Sequence, residues 1–326
     1  MSRTPPLCLS LAGYEKLMKH REKFPNLIIA GAPKSGTTSL YDWLNAHPEA
    51  AGSTVKETRY FIDIDYPLSK NRPNFHESGF GGYKSYFQAD TEKLIFEATP
   101  DYMYQLTALN EIPKITPKPQ VLFLLRNPAI RALSLYKFAA HNMAVLDRNL
   151  SFSQFVDHIW NESRAYESNA ILNFAIKHGE YVSYIRRWSE RMGPENITIR
   201  TFENLKADPR SFMTALADEL GIEPTFYDTY SFQAENRSYT VRFRGLHRAA
   251  RTFRKAIGHK MQSELRSLGA HKLYRQLNEG STDFDLSDAD REAVVWLHNY
   301  YSSFNKALSK EFHVSIDTWN TDEGAY

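Results

Sequence analysis

The chain has 326 residues with 40 basic and 38 acidic side chains, a formal net charge of +2, and 42% hydrophobic and 13% aromatic residues. That length can bury a sizeable core, and so balanced a charge sets up no global field that would call for nucleic acid. A single cysteine, Cys8, excludes an intramolecular disulfide framework and a cysteine-based zinc site.

Residues 1–25 read as an N-terminal extension in which Glu15, Lys16, Lys19, Arg21, Glu22 and Lys23 interrupt every apolar run. Neither a signal peptide nor an anchor is expected there, and no later stretch reaches the ~18 apolar residues of a membrane span. The expectation is a cytoplasmic protein with one domain over residues 1–326. The first strand is Leu27-Ile28-Ile29-Ala30, ending at Gly31, followed by a loop through Gly36. Leu40, Trp43 and Leu44 then fall at helical spacing, and His47-Pro48 stops that helix. Lys93–Phe96, Gln120–Leu125 and Ile197–Phe202 are further strand candidates, separated by helical patterns after Pro128, over Tyr181–Met192 and after Pro209. This alternation predicts an α/β fold of the P-loop type, a central parallel β-sheet flanked by helices on both faces. Tyr66–Tyr86 has no clear period and reads as an excursion on the substrate side. Val294, Leu297, Tyr301, Phe304 and Leu308 form one stripe of a final helix over 288–310.

The stretch Gly31-Ala-Pro-Lys-Ser-Gly36-Thr37-Thr38 lies between a strand and a helix. Loop N–H groups and the helix dipole make such a place an anion cradle, and glycine lets the backbone come close. In the triphosphate-binding pattern G-x-x-x-x-G-K-[ST] a lysine follows the second glycine. Here position 37 is Thr and the lysine falls inside the loop, at Lys34. No strand ends in an apolar run followed by the Asp that would hold Mg²⁺. The loop therefore suits a 5′-phosphate with one neighbouring transferred group better than a triphosphate. Pro33, Lys34, Ser35, Gly36, Thr37, Thr38 and Ser39 are its candidate contacts.

Strand Gln120–Leu125 runs into Arg126-Asn127-Pro128-Ala129-Ile130-Arg131-Ala132-Leu133-Ser134-Leu135-Tyr136. Asn127 suits a helix N-cap and Pro128 a first helical position. Arg126 offers a planar fork of donors for a phosphate, and Ser134 lies about two turns into the helix. The P-K-S-G-T-T loop and this run together resemble the sulfotransferases that use 3′-phosphoadenosine 5′-phosphosulfate (PAPS). The extension Thr37–Pro48 is most similar to the carbohydrate branch, notably the heparan sulfate sulfotransferases. The resemblance covers residues 26–240 in pieces, including Tyr181 and Trp188 in a G-x-Y…W segment and Thr201–Pro209 at a strand end, and more loosely the Trp319 region. It implies that the loop holds the 5′-phosphosulfate and that Arg126 and Ser134 hold the 3′-phosphate. The product would be adenosine 3′,5′-bisphosphate. Many small-molecule members place a tryptophan after the two threonines; this chain has Ser39, so adenine stacking is not carried over. Relatives close a late basic loop over the nucleotide, and Arg237 in Asn236-Arg237-Ser238-Tyr239 is the counterpart here.

Sulfuryl transfer needs the leaving oxygen neutralised and the acceptor proton removed. Lys34 suits the first task. Lys56-Glu57-Thr58-Arg59-Tyr60-Phe61 resembles the K-E-x-x-[FY]-F segment of the heparan enzymes, where the glutamate is the proposed base, and Lys56 could contact the transferred group. Cationic neighbours would keep Glu57 ionised. His141 and Asp101 remain rival bases. Asp101 stands in Glu97-Ala98-Thr99-Pro100-Asp101-Tyr102, similar to E-K-[ST]-P-x-Y except that Ala98 replaces the lysine; Glu97 reads as a brace for the strand end. Lysine and arginine supply the positive charge, so no metal is expected, and the histidines show no ligand spacing.

Tyr60, His76, Tyr83 and Tyr86, with His141, are the candidate lining of an acceptor pocket. The acceptor would be a hydroxyl, less readily an amine, of a glycan, a glycolipid or a small molecule. Residues 237–280 form a basic helical arm, with Phe243, Leu246, Ala250, Phe253 and Ile257 on one stripe. Such an arm can dock on the core, meet an anionic acceptor, or touch a membrane surface through 242–257. No nucleic-acid recognition motif accompanies it. The missing secretory anchor implies a bacterial member of the family.

Overall fold

The computed structural model describes residues 24–69, 72–88, 92–142, 145–147, 149–161, 166, 169–233 and 285–319. The N-terminal extension up to residue 23, Arg237, the basic arm and the side chain of His141 lie outside the described residues.

Five parallel strands make one sheet in the order β2-β3-β1-β4-β5. They are β1 (Leu27–Gly31), β2 (Ala50–Gly52), β3 (Leu94–Ala98), β4 (Gln120–Leu125) and β5 (Ile197–Thr201). Four match the expected strands. The fifth, β2, is a three-residue edge strand in register with β3, Ala50 against Leu94, and is too short to show a period. The longer helices are α1 (Thr37–Asn45), α2 (Phe75–Lys84), α3 (Pro128–Lys137), α4 (Phe152–Asn161), α5 (Tyr181–Met192), α6 (Pro209–Glu219) and α7 (Asp288–Phe312).

Alternation along each strand sorts the core into two faces. Ile28, Ala30, Val121, Phe123 and Leu125 meet Tyr181, Ile185 and Trp188 of α5 and Leu308 of α7. Leu27, Ile29, Leu122 and Leu124 meet Leu40, Trp43 and Leu44 of α1 and Met213 and Leu216 of α6. Helices thus cover both faces, as the apolar strands require. A further apolar layer joins α3, α4 and α7. The final helix starts on a Ser287–Asp290 capping box and runs two residues beyond the expected end. Among the described residues no helix is long and apolar enough to cross a membrane.

The chain leaves β1 toward one face through α1, and after β3 it crosses β1 to add β4 on the far side. The carboxyl ends of β1 and β4 therefore adjoin where the strand order reverses, the place at which an open α/β sheet forms its crevice. Ala32 N donates to Leu124 O at 2.8 Å, so the loop after β1 begins flush against the end of β4.

Candidate active site

Backbone conformation comes first. Lys34 has φ 71° and Gly36 φ 85°, so the loop curls in the left-handed region that side chains resist. Gly36 is fixed twice over, since a Cβ there would stand 2.6 Å from the Phe202 ring. As the N-cap of α1 it contributes no side-chain cap, which leaves the first-turn N–H groups of the helix facing the loop. Ser35 is fully buried and its Oγ finds no hydrogen-bond partner among the described residues. Thr37 and Ser39 are buried; Pro33, Lys34 and Thr38 are half-buried. Among the described residues no carboxylate forms an ion pair with Lys34. Its ammonium instead stands 3.9 Å above the centroid of the Phe138 ring. Burial, then the nearby Arg126, bring its pKa down to about 8, with Glu57 acting in the other direction.

Arg126 closes the second corner. Its guanidinium donates to Lys34 O at 3.3 Å and lies 4.7 Å over the Phe202 ring, the ring that also confines Gly36. Burial lowers its pKa. Tyr181 Oη donates to Arg126 O at 2.9 Å. Next in the chain, Asn127 Oδ1 caps α3 by accepting from Ala129 N and Ile130 N at 3.1 and 3.4 Å. Glu203 accepts from Asn127 N at 3.0 Å and from Trp319 Nε1 at 2.8 Å, while Asn127 Nδ2 donates to Trp319 O at 3.0 Å. This buried clasp fixes the start of the helix that carries Ser134, which is half-buried on it.

The third corner is the turn after β2. Glu57 and Arg59 have φ 60° and 56°, so this turn, like the loop with Lys34 and Gly36, holds side-chain-bearing residues in the left-handed region. Glu57 Oε1 lies 3.0 Å from Lys56 Nζ and its Oε2 2.6 Å from the Arg59 guanidinium. Arg72 donates to Glu57 O at 3.0 Å. Burial alone would raise the Glu57 pKa; Lys56 and Arg59 together outweigh it and keep the carboxylate low. What holds this turn is buried beneath it. Thr58 Oγ1 donates to Glu97 Oε2 at 2.7 Å, and Tyr102 Oη accepts from Tyr60 N at 2.9 Å and Phe61 N at 3.2 Å. Glu97 thus braces the Lys56–Phe61 turn as well as the end of its own strand. Asp101 is buried, accepts from Tyr66 Oη at 2.7 Å, and has its pKa raised to about 6 by burial first and Glu57 second.

Lys34, Lys56, Glu57, Asp101 and Arg126 are brought into one electrostatic neighbourhood. The aromatic candidates divide. Tyr60 and Tyr83 are 0% exposed; they stack 5.4 Å apart, and Tyr60 Oη donates to Gly79 O while Tyr83 Oη donates to Glu97. Neither offers surface to an acceptor, because both pack into an aromatic cluster with Phe61 and Tyr102. Tyr86 is half-buried, and its carbonyl accepts from Thr54 N at 2.8 Å in the segment after β2. His76 is exposed and lies 3.2 Å from Thr107 Oγ1. Phe138 and Phe202 were not among the expected site residues. The one available signal was that Phe138 falls four residues after Ser134, hence on the same helical face.

The arrangement suits an anion with two charged ends. Among the described residues the buried Ser35 hydroxyl lacks a partner, the Arg126 guanidinium reaches the Lys34 carbonyl, and a side chain at position 36 would meet the Phe202 ring. Among the described residues no group of three or more His, Cys, Asp or Glu is placed to hold a metal ion.

A family model described as "Sulfotransferase domain" matches residues 24–282. The chain is similar to the bifunctional heparan sulfate N-deacetylase/N-sulfotransferase 1 of Mus musculus, 26% identical over 216 residues, which covers 65% of this chain and 24% of that protein. It is also similar to the bifunctional heparan sulfate N-deacetylase/N-sulfotransferase 3 of Homo sapiens, 27% identical over 214 residues, covering 63% and 23%. The chain spans about a quarter of the length of these curated relatives. A sulfotransferase from Alicyclobacillus acidocaldarius shares the fold with a TM-score of 0.64 and 18% identity, covering 92% of this chain and all of that one.

Proposed function

The chain belongs to the sulfotransferase domain family, whose members are PAPS-dependent enzymes, and from that premise we propose that it sulfates a hydroxyl or an amine of a glycan acceptor with Glu57 as general base. The observation that carries the reading is the junction of two cationic corners, where Arg126 reaches Lys34 O at 3.3 Å from the end of a neighbouring strand. The donor supplies an activated sulfuryl group whose departure leaves a bisphosphate. Every other task falls to side chains and backbone of this chain.

The N–H groups of residues 34–38 and the Thr37 and Thr38 hydroxyls bind and orient the 5′-phosphate. Arg126 and Ser134 hold the 3′-phosphate, which distinguishes this nucleotide from ATP. The Lys34 ammonium neutralises charge growing on the leaving oxygen, an effect that is large because the site is partly desolvated. Glu57 takes the acceptor proton onto a carboxylate oxygen, and Lys56 and Arg59 keep that oxygen ionised until then. The likeness to proteins named as heparan sulfate N-sulfotransferases supports a glycan over the glycolipid and small-molecule alternatives.

Transfer of ³⁵S from labelled PAPS to a desulfated heparan oligosaccharide, a galactolipid and a simple phenol tests this reading. Label is expected in the oligosaccharide and is expected to vanish with Lys34→Ala. Label confined to the lipid or the phenol would remove the glycan assignment.

A further inference from the structure

Phe138 belongs to neither phosphate motif, yet the Lys34 ammonium lies over its ring. Resting on the reading of Lys34 given above, we propose that Phe138 is the positioning residue of Lys34, its ring face holding the ammonium protonated and aimed along the loop in place of a carboxylate. Three observations support this.

The first is distance. At 3.9 Å from the centroid the ammonium lies well inside the range of a cation–π contact. The second is placement. Phe138 is the C-cap of α3 and opens a π-helical turn over Phe138–Asn142, an irregularity that recurs at functional sites. It stands one helical turn beyond Ser134, so the helix that carries one anion corner also carries the support for the other. The third is charge. Lys34 is faced by Arg126 from the end of β4 and by Glu57 from the turn after β2; Lys137, the chain neighbour of Phe138, couples to Arg126 as well. Burial and Arg126 both work against the ammonium, while Glu57 is already gripped by Lys56 and Arg59.

A ring solves a problem that a carboxylate would not. A carboxylate partner would cancel the charge the leaving oxygen needs and would have to be broken off at each turnover. The quadrupole of a ring stabilises the cation without cancelling its charge or occupying its N–H donors.

The test needs no acceptor. In the full-length protein without nucleotide, the pH dependence of Lys34 acetylation by acetic anhydride, read by mass spectrometry, gives its titration midpoint. Phe138→Leu keeps an apolar side chain without a ring. Its midpoint is expected about half a unit to one and a half units lower, the pKa equivalent of a cation–π contact. The pH above which affinity for adenosine 3′,5′-bisphosphate declines is expected to fall with it. Phe138→Tyr is expected to keep both values, and Phe138→Met replaces the leucine variant should that one lose its thermal transition. An unchanged midpoint in the ringless variants, or a tyrosine variant that behaves like them, overturns the proposal. Wild-type protein that fails to bind the bisphosphate would sink the donor reading while leaving the lysine–ring pair standing.

Discussion

Glu57 is held ionised against its burial by Lys56 and Arg59, so its value to the reaction should lie in chemistry rather than in binding. Glu57→Gln is expected to leave bisphosphate affinity within about twofold while turnover falls by about 10²- to 10⁴-fold, the usual worth of a general base. Near-full activity would move the base to Asp101 or His141. Asp101 makes a separate claim on pH. Burial raises its pKa from 3.8 to about 6, so the folded protein holds that proton more tightly than the unfolded chain does. The associated stability is complete below pH ~4 and lost as pH rises through ~6, a swing of up to about 3 kcal/mol. Denaturant unfolding should therefore show Asp101→Asn gaining on wild type between pH 4 and 7.5; a constant difference would contradict this. At this scale the sequence nominates candidates where chemistry is tied to residue type at fixed spacing, as at Lys34, Glu57 and Arg126, and the fold brings those three into one neighbourhood. Phe138, Phe202 and Thr58 act through contacts across 75 residues and more of chain or through buried partners, and no local pattern announces such contacts.

Among the elements, the loop from Gly31 to Gly36 and the cap of α3 carry the greatest weight in the proposed donor site. Gly36→Ala must place a Cβ against Phe202 at a left-handed φ, and the displaced ring is the one beneath Arg126. It is expected to reduce bisphosphate affinity at least tenfold, measured by calorimetry, although it alters no side chain that would contact the nucleotide. Asn127→Ala removes the cap of α3 and one arm of the Glu203–Trp319 clasp. The loss should be about 1 kcal/mol of stability from the cap alone, with affinity for the 3′-phosphorylated nucleotide falling more than that for 5′-AMP. Equal losses for the two nucleotides would contradict the link between cap and 3′ corner. The helix starts at Thr37 and Pro128 were readable because glycine, asparagine and proline mark them chemically. Strand β2 was not, since three residues cannot display alternation, and α2 was hidden by its four glycines and serines and by its kink at Gly79.

At the scale of the whole molecule, the strand order was beyond the sequence even though the parallel sheet was not. Apolar runs alternating with helices demand a sheet covered on both faces, but which strand neighbours which depends on packing among distant segments. The order β2-β3-β1-β4-β5 sets the ends of β1 and β4 side by side and so turns two separate motifs into one site. Calorimetric titration of adenosine 3′,5′-bisphosphate, 5′-AMP and ATP into wild-type protein and Arg126→Ala tests that union directly. The bisphosphate should bind wild type at least tenfold more tightly than either other nucleotide, and Arg126→Ala should erase most of that preference while leaving 5′-AMP unchanged. ATP bound as tightly as the bisphosphate, or a preference that survives Arg126→Ala, would contradict it.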